Sequence, residues 1–232
     1  MIDLYYTATP NGLKLRLFFE ETGLAHRIVP VRLSAGDQFK PEFLAVSPNN
    51  KIPAILDHAP SDGGAPIPVF ESGAILLYLA EKTGRLYPSD PRQRLELSQW
   101  LFWQMAGLGP MSGQAGHFRV HADEPLPYAI DRYTREVQRL HGVLDRRLQD
   151  RRFLVGDDYS IADIACYPWI VPYAGLGQDL ANTPSLQRWF DEIAARPATR
   201  RAYEGVEVPY SQALSSQARQ VLFGNGAAEP AR

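Results

Sequence analysis

The first 85 residues alternate between apolar spacings typical of strands and spacings typical of helices. Ile2–Tyr6 alternates with a period of two, which predicts a β-strand. Leu13, Leu17 and Phe18 then recur at the spacing of one helix face. Thr9 precedes them and is a good N-cap residue, because its side-chain oxygen can accept from the free N–H groups of a first helical turn. The sequence therefore predicts a strand followed by a helix that begins after Thr9.

Prolines and glycines mark the ends of these elements. Pro10 fits the first helical position, where its missing N–H costs no hydrogen bond, and Gly23 is placed to end the helix. The segment HRIVPVRL predicts a second strand, and Pro30 within it cannot donate to a β-ladder. We therefore expect this second strand at an edge of the sheet.

The remainder of this first part predicts two more strands and a further helix. KPEFLAVSP predicts a short helix or turn, and AILDH and IPVFE predict strands that are separated by a loop too long for a tight hairpin. SGAILLYLAEKTG then predicts a helix with its apolar residues on one face and a glycine at its end. The order is βαβ followed by ββα, which indicates one α/β unit over residues 1–85.

After residue 85 the strand patterns stop. Residues 86–93 contain two prolines and are the expected linker, and residues 94–205 are expected to form an all-α domain. Residues 206–232 are polar with scattered apolar positions, and we expect a C-terminal tail that is partly disordered, above all in its last stretch, GNGAAEPAR. The helices are expected at Gln93–His117 with a bend near Gly109-Pro110, and at Tyr128–Asp150, Ser160–Tyr173, Pro184–Ala195 and Pro197–Tyr203.

Charge and cysteine content narrow the class of protein. A formal net charge of −2 gives no electrostatic reason to expect nucleic acid or an anionic membrane as a partner. No apolar run approaches the roughly 18 residues of a membrane span. The start, MIDLYY, lacks the basic-then-apolar pattern of a signal peptide. A single cysteine, Cys166, excludes an internal disulfide and a CxxC centre. We therefore expect a cytoplasmic protein.

The segment NNKIPAI places a proline directly ahead of a strand. A cis bond between Ile52 and Pro53 would turn the N–H and C=O of Ile52 away from the sheet, where an extended peptide ligand could pair with them. The alternative is a plain proline at the start of a strand, and the segment alone favours that alternative.

The segment FESGAI lies where a strand meets a helix. Ser72 and the backbone amides of a helix N-terminus are able to bind a carboxylate or phosphate, and Glu71 beside them could accept from an amine. The pair therefore suits the head group of an α-amino acid. The alternative is a serine that caps its helix and a glutamate at the surface.

The segment YSIADIA has the pattern of a capping box. Ser160 is the expected N-cap, Asp163 stands at the third helical position, and Tyr159 and Ile164 match a hydrophobic staple. We interpret the box as the start of a buried helix rather than as a catalytic pair.

Three other features favour structural roles. His117 and His121 are spaced i, i+4, but the glutamate of HExxH and a third ligand are absent, so we expect no metal site. Cys166 lies in an apolar stretch and is the expected inert core residue. The arginines between residues 132 and 152 alternate with acids and indicate a solvated helix face, from which one arginine near a cleft remains available for a carboxylate. No P-loop, GxGxxG or GxSxG motif is present.

The order of these motifs resembles the cytosolic glutathione transferases over residues 1–205. KIPAI before the third strand and ESGAILLYLAEK after the fourth are similar to that family's thioredoxin-like domain, and YSIADIA is similar to its helical domain. The resemblance implies an α/β thioredoxin-like N-terminal domain, with a four-stranded mixed sheet, followed by an all-α domain. TPNG and SPNNKIPAI are similar to the nu class of bacterial disulfide-reductase-like members, which also resembles the yeast nitrogen-regulator transferase fold.

The resemblance implies glutathione as a co-substrate and assigns residues to each part of the tripeptide. Ile52, ahead of a cis Pro53, would pair its backbone with the cysteinyl part. Glu71 and Ser72 would hold the γ-glutamyl head. The remaining contacts that the resemblance implies are Gln38 and Lys51 toward the glycyl end, Arg132 from the helical domain facing the same cleft, and Thr9 and Asn11 near the sulfur.

The catalytic tyrosine, serine or cysteine of most transferase classes is not evident here, since Tyr5 and Tyr6 lie early, in the first strand. With no protein thiol available, the nucleophile is expected to be the thiolate of bound glutathione. Lowering a thiol pKa of about 8.5 by about 1.5 units needs roughly 2 kcal/mol, which a hydrogen bond and a helix N-terminus can supply. Thr9 and Asn11 are the expected catalytic residues, and Asn11 is also a binding residue; the alternative is that Thr9 only caps its helix.

We expect glutathione-dependent reduction of disulfide bonds, because thiol–disulfide exchange needs only an accessible thiolate, a good leaving thiol and alignment. Transferase or peroxidase activity on small electrophiles is the alternative, and a non-catalytic binding or regulatory protein is a third possibility. Family members are typically homodimers, to which the aromatic helix around Trp100–Met105 could contribute.

Overall fold

A mixed four-stranded sheet forms the centre of the N-terminal part of the protein, in a computed structural model that describes residues 1–223. The strand order is β2-β1-β3-β4, with β1 parallel to β2 and the other neighbours antiparallel. Pro30 ends β2 at one edge of the sheet, where a residue without an N–H leaves no ladder bond unmade. The strands are β1 Ile2–Tyr6, β2 His26–Pro30, β3 Ala54–Asp57 and β4 Ile67–Phe70.

Three helices accompany this sheet, and their ends agree with the sequence. Thr9 caps α1, since its side-chain oxygen accepts from the N–H of Gly12 at 3.2 Å, and Gly23 ends the helix in a left-handed conformation with φ of 66°. The predicted βαβ-ββα order of a thioredoxin-like unit is confirmed. The helices are α1 Pro10–Thr22, α2 Pro41–Leu44 and α3 Ser72–Thr83.

Helices also form the second part of the described chain, as predicted. The expected long helix at Gln93–His117 is divided: a π-helical turn at Gln104–Leu108 precedes Gly109, and a second π-helical turn follows at His117–His121. The first helix of this part begins at Pro91, inside the segment expected to be a linker. These helices are α4 Pro91–Trp103, α5 Gly109–Gly116, α6 Pro127–Leu148, α7 Ile161–Ile170, α8 Pro184–Ala195, α9 Pro197–Ala202 and α10 Ser216–Phe223.

Helix α10 belongs to the segment expected to be a tail. It packs against the short 3₁₀ turn Leu33–Ala35, which follows β2. The sequence did not predict this helix, because its apolar positions are few and its stability depends on that distant contact. The predicted disorder of GNGAAEPAR falls on residues 224–232, outside the described residues.

One continuous core joins the two parts of the chain. Helix α1 packs against α3 on one side and against α7 on another. Leu15, Phe18, Ile75 and Ile164 from these three helices are all fully buried in the same cluster. Burial of apolar surface contributes about 25 cal/mol per Å², so this shared core fixes the start of α1 against the helical part. No helix among residues 1–223 combines the length and apolar character that crossing a membrane requires.

The capping box at Ser160 nucleates α7, as predicted. The buried Asp163 carboxylate accepts from the N–H of Leu154 at 2.9 Å and from the N–H and hydroxyl of Ser160, each at 3.0 Å. Trp189 Nε1 donates to the same carboxylate at 2.9 Å. Burial raises the pKa of Asp163, and these hydrogen bonds oppose the rise. The carboxylate therefore ties α7 both to the loop before it and to α8.

Replacing Asp163 by alanine should lower the free energy of unfolding by about 3 kcal/mol or more, because buried donors from three residues lose their acceptor. Urea denaturation followed by circular dichroism measures the change. Asp158→Ala, at an exposed position ahead of the box, is the matched control and should cost less than about 0.5 kcal/mol. Equal losses for the two variants would contradict this role of Asp163.

Candidate functional site

A cleft opens where the start of α1, the Ile52–Pro53 segment and the start of α3 face the helical part. Its inner cavity has a volume of about 420 Å³ and is bordered by Asn11, Ile52 and Ser72 from the first part and by Gln104 and Trp169 from the second. An adjoining, wider cavity of about 920 Å³ shares Asn11, Ile52 and Trp169 with it. The structure therefore brings six of the predicted site residues together at the inner cavity: Asn11, Lys51, Ile52, Pro53, Glu71 and Ser72.

Asn11 is held in one orientation by a residue from the helical part. Trp169 on α7 donates its indole N–H to Asn11 Oδ1 at 2.9 Å. Because the carbonyl oxygen is engaged, the amide NH₂ is the group that Asn11 has left to donate. Trp169 was missed by the sequence analysis, since it lies 158 positions from its partner and looks like an ordinary core aromatic residue.

Thr9 borders the wider cavity and also acts as the cap of α1. Its hydroxyl oxygen accepts from Gly12, so its hydrogen remains available to a second partner. The two alternatives for Thr9 are therefore compatible in the structure. Asn11, at the second position of the helix, adds its amide beside the free N–H groups of the first turn.

The Ile52–Pro53 bond is cis, as the family resemblance implied, whereas the segment alone favoured a plain proline at the start of a strand. Ile52 lies just ahead of β3, which begins at Ala54, and borders both cavities. Lys51 is exposed beside it and also borders both cavities. Ser47 donates to the carbonyl oxygen of Lys51 at 2.8 Å, which holds this segment in place at the mouth of the cleft.

Glu71 and Ser72 lie at the inner cavity in two different environments. Glu71 is exposed and occupies the N-cap position with φ of 68°, a region that a residue with a Cβ rarely adopts. Ser72 is buried and is the first residue of α3, so it does not cap the helix as the structural alternative supposed. Strained backbone of this kind is concentrated at ligand sites, which fits the position of Glu71.

Lys14 is a buried cation beside Ser72 that the sequence analysis did not identify. Its Nζ donates to Gln104 Oε1 at 2.7 Å and to Ser72 Oγ at 3.1 Å. Burial lowers the pKa of Lys14 to about 7. The sequence feature that could have indicated a buried Lys14 is the segment GLKLRLFF, in which the lysine stands between leucines that the structure buries on more than one side of α1.

Gln38 and Arg132 lie away from the inner cavity. Gln38 is buried, donates to the carbonyl oxygen of Leu33 at 3.2 Å and borders the wider cavity. Arg132 is exposed on α6 and borders a separate groove with Met111 and Tyr128. Within one chain Arg132 borders neither cavity of the cleft, because α6 turns its buried stripe inward and carries Arg132 on its outer side. Its place in the site stays a prediction.

The single cysteine borders neither cavity, whereas His117 and His121 both border the wider one. Cys166 is fully buried, and burial raises the pKa of its thiol. His117 and His121 lie near the ring of Phe223, with centroids 4.7 and 6.2 Å away. Within the described part of the chain, no group of three or more histidine, cysteine or acidic side chains is placed to hold a metal ion.

The C-terminal segment 206–223 covers part of the wider cavity. Val208, Tyr210 and Phe223 border this cavity opposite Thr9. The Tyr210 ring lies so close to Gly116 that a Cβ added at this glycine would be 2.4 Å from its ring carbons. Gly116 is therefore a contact point that the covering segment needs.

Gly116→Ala should displace the covering segment, since the added methyl group overlaps the Tyr210 ring. We expect faster amide hydrogen exchange in residues 216–223, measured by mass spectrometry, with the rest of the chain unchanged. Gly142→Ala on α6 is the matched control, because its Cβ would meet only Arg146 Nη1 at 3.5 Å. Unchanged exchange in Gly116→Ala would show that Tyr210 does not anchor the segment.

Comparison with known proteins identifies relatives with the same two-part architecture. A disulfide-bond oxidoreductase, YfcG, of Escherichia coli is 55% identical over 202 residues, which cover 87% of this chain and 94% of the relative. A second disulfide-bond oxidoreductase of E. coli, YghU, is 41% identical over 86% of this chain and 73% of its own length.

Solved structures with a similar fold are also glutathione transferases. A glutathione transferase from Burkholderia graminis, with two glutathione molecules bound per subunit, has a TM-score of 0.84 and 45% identity, covering 89% of this chain and 88% of that one. A glutathione transferase from Pseudomonas putida, with one glutathione disulfide bound per subunit, has a TM-score of 0.82 and 42% identity, covering 89% and 92%. Family models of the glutathione S-transferase N-terminal and C-terminal domains match residues 8–82 and 110–197. The chain therefore belongs to the glutathione transferase family.

Proposed function

We propose that the protein is a glutathione-dependent disulfide-bond oxidoreductase that uses the thiolate of bound glutathione as its nucleophile. The observation that carries this proposal is the position of Asn11, which is oriented by Trp169 at the start of α1 and borders the same cavity as Ile52 and Ser72. The one protein thiol, Cys166, is buried away from the cleft. A reactive sulfur must therefore come from the ligand.

The residues that line the two cavities favour one orientation of glutathione along the cleft. The γ-glutamyl head lies at Ser72 and Glu71, where α3 begins and its free N–H groups favour a carboxylate. The cysteinyl backbone lies along Ile52, and the glycyl end lies toward Lys51 and the buried Gln38. Arg132 is not needed by the single chain for any of these contacts.

This direction places the cysteinyl sulfur near the start of α1. The amide of Asn11 and the hydroxyl of Thr9 donate to the sulfur there, and the helix N-terminus favours its negative charge. Hydrogen bonds to a charged group contribute about 1.5–3 kcal/mol, which is enough to lower a thiol pKa of about 8.5 by more than one unit. The site therefore raises the thiolate fraction near neutral pH without a protein acid or base.

The wider cavity receives the disulfide substrate. The glutathione thiolate attacks one sulfur of the disulfide, a new S–S bond forms, and the second substrate sulfur leaves as a thiolate that takes a proton from water. A second glutathione thiolate then attacks the mixed disulfide, releasing the reduced substrate thiol and forming glutathione disulfide. The two glutathiones in the Burkholderia relative and the glutathione disulfide in the Pseudomonas relative support this order.

Transfer of glutathione to a small electrophile is the second candidate activity, because the same thiolate attacks carbon and the family is named for this reaction. Calorimetric titration with glutathione, followed by a coupled assay on a small mixed disulfide and on a chloronitrobenzene, distinguishes the candidates. Turnover of the disulfide supports the oxidoreductase, turnover of the electrophile alone supports the transferase, and binding without turnover supports a regulatory or ligand-binding protein.

We further propose a cytoplasmic homodimer of the nu class. Leu95 and Phe102, spaced i, i+7 on α4, are 64% and 67% exposed and give this helix an apolar outer face that suits a second copy of the chain. The Trp100–Met105 region, which the sequence suggested for this role, overlaps this helix.

Thr9→Ala and Asn11→Ala should each lower kcat for disulfide reduction about 10- to 100-fold, because each removes a hydrogen bond to the thiolate. Binding of S-methylglutathione, measured by calorimetry, should change little in both variants. Ser72→Ala should instead weaken the binding of S-methylglutathione about tenfold. Thr9→Ser keeps the hydroxyl and is the control for Thr9. A silent Thr9→Ala would mean that the hydroxyl only caps α1.

Cys166→Ala should retain full disulfide-reductase turnover, since this thiol is buried and the reactive sulfur belongs to glutathione. The coupled assay measures kcat, and the melting temperature reports the small cavity that the substitution leaves in the core. Loss of turnover with an unchanged melting temperature would assign the chemistry to the protein thiol instead.

A further inference from the structure

Lys14 lines the inner cavity but has no part in the proposed reaction. Its side chain is 1% exposed and lies under Ser72, at the floor of the inner cavity. The Nζ atom donates to Ser72 Oγ and Gln104 Oε1, and Met105 Sδ lies 3.9 Å away. All three partners are neutral.

The groups that face Lys14 leave its charge without a counter-ion. From α7 the nearest titratable group is the thiol of Cys166, which burial keeps protonated, with Asp163 beyond it. At the start of α3 the nearest is Glu71, whose side chain is exposed to solvent. No carboxylate among residues 1–223 forms an ion pair with Lys14. A buried ammonium of this kind gains free energy when an anion arrives beside it.

The contact with Lys14 also determines whether the Ser72 hydroxyl acts as a donor or an acceptor toward other groups. Because Lys14 donates to Ser72 Oγ, the hydroxyl hydrogen points to another group, and in this structure it donates to Met105 Sδ at 3.6 Å. A thioether sulfur is a weak acceptor, so a carboxylate oxygen at this position would take its place. The open side of Ser72 is the inner cavity, where the first N–H groups of the twelve-residue helix α3 also point. A donor hydroxyl, helix N–H groups and a cation behind them together select a carboxylate.

We propose that Lys14 is the positioning residue for the α-carboxylate of a γ-glutamyl ligand, and that binding of this carboxylate is coupled to uptake of one proton by Lys14. The inference rests on the proposed function, since it takes the γ-glutamyl head to lie at Ser72. Lys14 acts through Ser72 and through its charge, and it does not touch the reacting sulfur.

The direction of the proton transfer follows from the free and bound states. In the free protein burial lowers the pKa of Lys14 to about 7, so at pH 8 the amine is mostly neutral. A carboxylate at Ser72 favours the ammonium form and raises this pKa. Binding at pH 8 therefore takes up close to one proton, and affinity falls by up to about tenfold for each pH unit above 7 until the bound-state pKa is reached.

The experiment is calorimetric titration with S-methylglutathione, whose sulfur cannot ionise, at pH 8 in two buffers of different ionisation enthalpy. The wild-type protein should take up close to one proton. Lys14→Met should bind more weakly, with little proton uptake and with an affinity that no longer falls between pH 7 and 8. Lys40→Met is the matched control, because Lys40 is exposed, pairs with Asp37 and borders neither cavity. It should behave as the wild type.

A second ligand tests the carboxylate directly. The S-methyl derivative of 4-aminobutanoyl-cysteinylglycine lacks only the α-carboxylate, so it should bind the wild type with little proton uptake and lose little further affinity in Lys14→Met. Equal uptake for the two ligands, or equal uptake by wild type and Lys14→Met, overturns the role of Lys14. Failure of S-methylglutathione to bind the wild type overturns the proposed function instead.

The wild-type protein alone gives an independent measurement. The chain has four lysines, Lys14, Lys40, Lys51 and Lys82, so carbon-13 labelling of the lysine ε-carbons gives few resonances to assign. Single Lys→Met variants of the other three identify Lys14 by elimination. Its midpoint should lie near pH 7 without ligand and move up by at least one pH unit with S-methylglutathione. A midpoint that does not move overturns the proposal whether or not Lys14→Met folds.

Discussion

The burial of helix α1 between α3 and α7 is the constraint on which the rest of the site depends. Apolar residues cover more than one side of this helix, so it cannot shift without exposing the shared core. The start of this helix is therefore fixed in space, with Thr9 as its N-cap, Asn11 in its first turn and Lys14 in its second. Trp169 adds a direct hydrogen bond to Asn11 from the helical part. Precise placement of neutral donors is what a site without its own nucleophile requires.

The cleft combines two electrostatic environments a few residues apart on one helix. At the outer end, neutral donors and a helix N-terminus favour a thiolate without providing a full positive charge. One turn further in, Lys14 places a buried amine without a counter-ion beneath Ser72. A ligand with a carboxylate at one end and a thiol in the middle matches both environments. The shape of the cavity then orients the ligand, and the wider cavity beside Ile52 leaves space for its reaction partner.

Much of the cleft could be predicted from local sequence. The cap at Thr9, the strand and helix around Ile52 and Ser72, and the capping box at Ser160 are signals that span a few residues each, and the structure bears them out. The family resemblance supplied the ligand. Arg132 borders a separate groove of the chain, because a local sequence pattern does not determine which way the outer face of a distant helix is turned. The described part of the tail was missed as a helix for the same reason, since its partner precedes it by about 180 residues.

The sequence by itself determined most of the secondary structure, the two-part order and the absence of a reactive protein thiol at the cleft's first helix, because these depend on side-chain period, capping and residue type. Only the tertiary structure decided that Trp169 orients Asn11, that Lys14 is buried beside Ser72 and that residues 206–223 cover the wider cavity. Each of these is a contact between residues far apart in the chain. Which residues meet depends on how whole elements pack. Lys14 is buried without a counter-ion only because of that packing, so local sequence does not reveal it.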